Sequence, residues 1–81
     1  MKPGDRVRLK QPFQPEAKLL RRYTCADVVG LIPPDRACID MPGEVIVTLY
    51  DLELDQPYLD EKGIQPFYSF RTDEVELIQA D

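Results

Sequence analysis

Fifteen carboxylates and ten Lys or Arg side chains stand in an 81-residue chain that holds no histidine. The commonest acid/base group and metal ligand is therefore missing from the start. Three acidic runs could act together: Asp51, Glu53 and Asp55; Asp60 and Glu61; Asp73, Glu74 and Glu76. On an extended backbone the first run would place all three carboxylates on one face, alternating with Leu52 and Leu54. A hard cation could use such a face, but calcium loops curve around a glycine, as in DxDxDG, and this run has neither feature. A solvated edge strand whose charges oppose aggregation explains it more simply. General acid catalysis needs a carboxyl raised toward neutral pH by burial, and charge-dense turns do not provide burial. Cys25 and Cys38 form no CxxC and have no histidine partner, so neither a zinc site nor an activated thiol can be built from them. They are expected to be reduced, buried and inert. Ser69 has no base motif beside it, and four scattered glycines make no phosphate loop. The chain is expected not to be an enzyme, and to need no cofactor or metal.

Charge says more about partners than about chemistry. The net charge is −5, yet residues 1–22 carry seven basic side chains against two acidic, a net of +5, while residues 23–81 carry three against thirteen, a net of −10. Two readings stay open: the basic segment pairs with the chain's own carboxylates, or it presents a face to an acidic partner protein. In the second case Lys18, Arg21 and Arg22 form the partner-binding site, with Tyr23 as aromatic anchor. In the first, the acidic arm from Leu52 to Pro66, with Tyr58, is the better interface. Aromatics that stack on nucleic acid need Lys and Arg beside them, and here Tyr50, Tyr58, Phe67, Tyr68 and Phe70 lie in the acidic half, so no nucleic-acid partner is expected. Nothing approaches the ~20 apolar residues of a membrane helix. The opening MKPGDRVRLK is too charged for a signal peptide, which implies a cytoplasmic chain.

The elements that must position these residues are mostly of period two. Val7 and Leu9 alternate with Arg6, Arg8 and Lys10 in a first strand opened by a Pro3-Gly4-Asp5 turn. Pro12 and Pro15 end it, and Glu16 to Leu20 after a proline suggest one or two helical turns in a long basic loop. Tyr23–Ile32 is a second strand, bulged at Gly30. Pro33-Pro34-Asp35 turns the chain into a third short strand over Ala37–Met41, and Pro42-Gly43 suits a type II turn. Glu44–Leu54 continues as strand, but its apolar parity switches near Tyr50, where the core strand should bulge or end. A Glu61-Lys62-Gly63 turn, a fifth strand at Phe67–Phe70 and a last one at Val75–Gln79 complete the pattern. Phe67 and Phe70 differ in parity, so only one can face the core. Strands this short need their edges covered, and a single all-β domain over residues 1–81, a small SH3-like barrel of five to six short strands with a basic, partly helical loop after strand one, satisfies that.

Two stretches carry a resemblance. GDRVRLK at Gly4–Lys10 and FYSFRTDEVELI at Phe67–Ile78 are similar to the opening and closing strands of the variable chain of ferredoxin-thioredoxin reductase. The ferredoxin-docking small subunit of the photosynthetic NDH complex shares that pattern. With LRRYTCADVVGLI between them, the same stretches also resemble the C-terminal barrel of the nitrile hydratase β subunit. The first resemblance implies a non-catalytic protein-binding module, an accessory or regulatory subunit of a photosynthetic or redox complex. The second implies a structural subunit that completes a metalloenzyme on another chain.

Overall fold

The computed structural model describes residues 1–78, and its six strands form one antiparallel sheet. They are β1 (Arg6–Phe13), β2 (Tyr23–Ile32), β3 (Glu44–Asp51), β4 (Gln56–Pro57), β5 (Tyr68–Arg71) and β6 (Val75–Leu77). The order is β4–β3–β2–β1–β6, with β5 paired to β3 beside β4. Alternation dictates which side chains turn inward: Val7, Leu9, Ala26, Val28, Val45, Val47, Leu49 and Val75 form the core with Tyr58. Each fully buried aliphatic side chain contributes about 1.5–3 kcal/mol. Phe70 of β5 packs against that core while Phe67, just before β5, stands 68 % exposed, the split that their opposite parity requires.

Irregularities bend the sheet. The pairing of β2 with β3 shifts register between Val28 and Gly30, the expected bulge. A second shift lies in β1, between Arg8 and Phe13. It lets Pro12 remain inside the strand instead of ending it, because a proline is tolerated where the ladder is interrupted. Beyond the shift, Phe13 meets Tyr68 and Phe70 edge-on, with ring centroids 5.0 and 5.4 Å away.

No α-helix forms among the described residues; two single 3-10 turns, Arg36–Cys38 and Thr72–Glu74, are the helical content. The basic loop after β1 is therefore not partly helical. It holds one turn, closed by Leu19 N–H donating to the Glu16 carbonyl at 3.0 Å, since the three residues between Pro15 and the core contact at Leu19 are too few to nucleate a helix. The expected strand over Ala37–Met41 is also replaced. Asp35 accepts a hydrogen bond from Ala37 N–H at 2.9 Å and draws the backbone into the first 3-10 turn, and only an isolated bridge between Asp35 and Met41 survives. This exposes Cys38, while Cys25 is buried. Gly43 has no positive φ, so no type II turn forms there. Gly4 (φ 98°) and Gly63 (φ 76°) do take the left-handed turn positions. The last strand stops at Leu77, and Gln79 lies outside the described residues.

Candidate protein-binding surface

Two long connections lie together at one end of the sheet: the loop at residues 14–22 between β1 and β2, and the acidic arm at 52–67 between β3 and β5. Their charges meet. Lys18 Nζ pairs with Glu61, and Arg21 engages both Asp51 and Glu53. Arg21 Nε faces Asp51 Oδ2, Nη2 donates to Asp51 Oδ1 at 2.8 Å, and Nη2 also reaches Glu53 Oε2 at 3.0 Å.

Asp51 is the keystone of this seam. At the end of β3 it is only 6 % exposed, and its Oδ1 also accepts the N–H groups of Glu53 (3.0 Å) and Leu54 (3.2 Å). A carboxylate accepting backbone N–H bonds in this way folds the chain into a turn. Asp51, Glu53 and Asp55 thus do not line one solvated face. Asp55 sits at φ 52° and accepts from the Tyr50 hydroxyl. The Arg21 guanidinium, aided by those N–H donors, holds the Asp51 carboxyl below its ordinary range. Glu76 is lowered in the same way by Arg8. Among the described residues no three His, Cys, Asp or Glu side chains gather as a metal-ligand set.

The other candidate residues fall around the seam. Arg22 is exposed and makes no ion pair with any described residue. Tyr23 is half-buried, its ring 5.3 Å from that of Tyr58 in edge-to-face contact. Tyr58 is 5 % exposed, part of the core, and held to β3 by its N–H bond to the Leu49 carbonyl at 3.1 Å. Burial, and then the nearby Glu16 carboxylate, push its phenol up to about 12. A cleft of about 420 Å³ runs beside them, lined by Glu16, Lys18, Leu19, Tyr23, Tyr58 and Leu59 among others. Of the five residues, the structure brings Lys18, Tyr23 and Tyr58 to this one cleft, with Arg21 and Arg22 on its flank lining a smaller one with Asp51 and Glu53.

The exposed apolar residues were not legible as a surface from sequence. Leu20 (97 %) stands out of the basic loop, Leu59 on the arm is half-exposed, and Ile39 (92 %) stands out of the β2–β3 loop. Leu20 shared its run with Leu19, which packs against the core, and only the turn geometry separates them. No helix among the described residues is long and apolar enough to cross a membrane. The chain matches no protein-family model, no curated protein and no solved structure.

Proposed function

We propose that the chain is a non-catalytic protein-binding module, an accessory or regulatory subunit of a larger assembly, built as a half-open SH3-like barrel. The carrying observation is apolar exposure: Leu20, Ile39 and Phe67 are each more than two-thirds solvent-accessible on a domain whose core is a single small cluster. Leu20 beside the seam and Ile39 at the other end of β2 are separate large apolar side chains in water, each suited to serve as the anchor of a contact. Asp51 and Glu76, each beside an arginine, are shifted downward, away from the neutral range that a general acid needs, so neither suits that role. The barrel reading is supported by the two bulges, by Phe13 of β1 reaching Tyr68 and Phe70 of β5, and by the Thr72–Glu74 corner that turns β5 into β6.

At the seam, Lys18 and Arg21 are engaged by the arm, so Arg22 with Leu20 and Leu59 offers the contact that an acidic partner would use, with Tyr23 and Tyr58 as buried support. The test is to purify the tagged chain from its source, identify the co-purifying protein, and measure association of the two purified chains. Arg22→Glu should slow association and leave the melting temperature unchanged. A chain that binds no protein at micromolar concentration overturns the module reading, and unchanged association of the Arg22→Glu variant overturns this placement of the site.

A further inference from the structure

We infer that the β2–β3 loop is a rigid knob whose Ile39 and Met41 side chains insert into an apolar pocket set in a basic surface of another protein. This rests on the reading of the chain as a binding module, and it gives that module a second contact at the end of β2 opposite Tyr23.

The loop is built to hold one shape. Pro33 and Pro34 fix φ where it leaves β2, Asp35 accepts from Ala37 N–H at 2.9 Å, and the Asp35–Met41 bridge ties its two limbs together. At its base a Cβ on Gly43 would lie 3.2 Å from the Ile32 carbonyl oxygen, and the Gly43 carbonyl accepts from Thr72 N–H at 3.0 Å. Binding through such a loop loses little conformational entropy.

At the apex stands a residue the loop itself does not need. Ile39 has φ 53° and ψ 71° and is 92 % exposed. A β-branched residue in the left-handed region is an outlier, and glycine or asparagine would sit there without cost. The Ile39 side chain adds nothing to the core, so burial within this chain does not offset the strain. Strain held at an exposed position points to contact outside the chain. Met41, Leu31 and Ile32, all partly exposed, add apolar surface in the loop and at the end of β2.

Charge selects the occupant. Asp40 lies between Ile39 and Met41, Asp35 and Glu44 flank the loop, and of the two nearby cations Arg36 lies in the loop itself while Arg71, opposite Glu44 on β5, is held by Asp73 and Glu74. Residues 23–81 carry −10 in all. A pocket rimmed by Lys or Arg complements this tip, whereas an anionic membrane would repel it, and in a second copy Arg6, Arg8, Lys18 and Arg21 of the basic segment are already held by that copy's own carboxylates. The knob is convex, so the partner supplies the pocket, and a lone well-packed anchor of this kind can dominate binding.

Cys38 provides the probe, because it is exposed beside Ile39 while Cys25 is buried. The chain labelled at Cys38 with benzophenone maleimide is irradiated in an extract of its source, and the cross-linked peptide is identified. The purified partner is then titrated against the unlabelled wild type, Ile39→Gly and Arg22→Glu. The expected cross-link lies in an apolar pocket flanked by Lys or Arg, and Ile39→Gly weakens binding at least tenfold while raising the melting temperature. Cross-linking to a second copy, retention on vesicles of anionic phospholipid, or affinity of Ile39→Gly within twofold of wild type overturns the knob. If Arg22→Glu weakens binding and Ile39→Gly does not, the knob falls and the module reading stands; if no partner is captured, both fall.

Discussion

Reversing Arg21 and reversing its neighbour Arg22 should have very different consequences for stability, although the two residues are adjacent and chemically identical. The Arg21 side chain is 40 % exposed, but its partner Asp51 is only 5 % exposed at the side chain. Exposed ion pairs contribute about 0–1 kcal/mol, and breaking a fully buried pair costs about 3–5 kcal/mol. A pair with one end in water and one end buried lies between these two classes, and Arg21→Glu adds a second carboxylate facing Asp51. The whole stability of 81 residues is on the order of 4–12 kcal/mol, so this one substitution removes a large part of it. With a urea slope of about 1 kcal/mol/M for a chain of this size, the midpoint should fall by clearly more than the ~0.5 M of an ordinary surface substitution. Arg22→Glu should move it by no more than ~0.5 M, as for an unpaired surface residue. pH supplies an independent check on Arg21→Ala. Because the folded Asp51 carboxyl is lowered by Arg21, its contribution is fully present above the unfolded value of about 3.9 and is lost as pH falls through the lower folded value. The gap between wild type and Arg21→Ala should therefore be constant from pH 7 to 5 and close in stronger acid. Equal urea midpoints for Arg21→Glu and Arg22→Glu would refute the assignment of Arg21 to a buried carboxylate.

Three further outcomes follow from burial. In native protein Cys38 should react with a thiol reagent within minutes while Cys25, buried and with its thiol pushed up by that burial, reacts only in denaturant; equal rates in the folded state would contradict the fold of β2. Tyr58, whose folded phenol lies at about 12, contributes stability that is full below the unfolded value of about 10 and is lost as pH rises through 12. Denaturation across that window should therefore be flatter in Tyr58→Phe than in wild type. Leu49→Ala, at a fully buried site, should cost about 2–5 kcal/mol, measured as a fall in melting temperature; a change under 1 kcal/mol would place Leu49 outside the core.

What the sequence revealed was set by periodicity. Val7 and Leu9, and Val45, Val47 and Leu49, announced their strands because a half-buried strand needs alternation, and the switch of parity at Tyr50 announced where β3 ends. Ala37, Ile39 and Met41 alternate equally well and were misleading. There a single side-chain bond from Asp35 to Ala37 N–H outweighs the pattern, and no periodic signal contains it. The Glu16–Leu20 run likewise has helical composition without the length to use it. Of the candidate surface, the charges were legible but their pairing was not, since the Arg21–Asp51 contact joins residues thirty positions apart. Asp51, Glu53 and Asp55 looked equivalent in sequence, and only the turn after β3 gives the first burial, the second exposure and the third a tyrosine partner.

That pairing changes what the bipolar charge distribution means for recognition. Four of the seven cations in residues 1–22 are engaged by carboxylates from residues 23–81: Arg6 by Asp27, Arg8 by Glu76, Lys18 by Glu61, and Arg21 by Asp51 and Glu53. Arg6 also stacks on the Tyr50 ring at 3.9 Å. An acidic partner approaching the basic loop therefore competes with carboxylates tethered beside it, whose effective concentration is of millimolar order or above. Net charge on the segment overstates the attraction available. What the partner can gain without that competition is Arg22 and the apolar surface of Leu20 and Leu59. If the proposed partner binds at this end, shape and apolar contact govern the binding, charge steers the approach, and the arm acts as an internal competitor that admits only partners able to displace it or fit beside it.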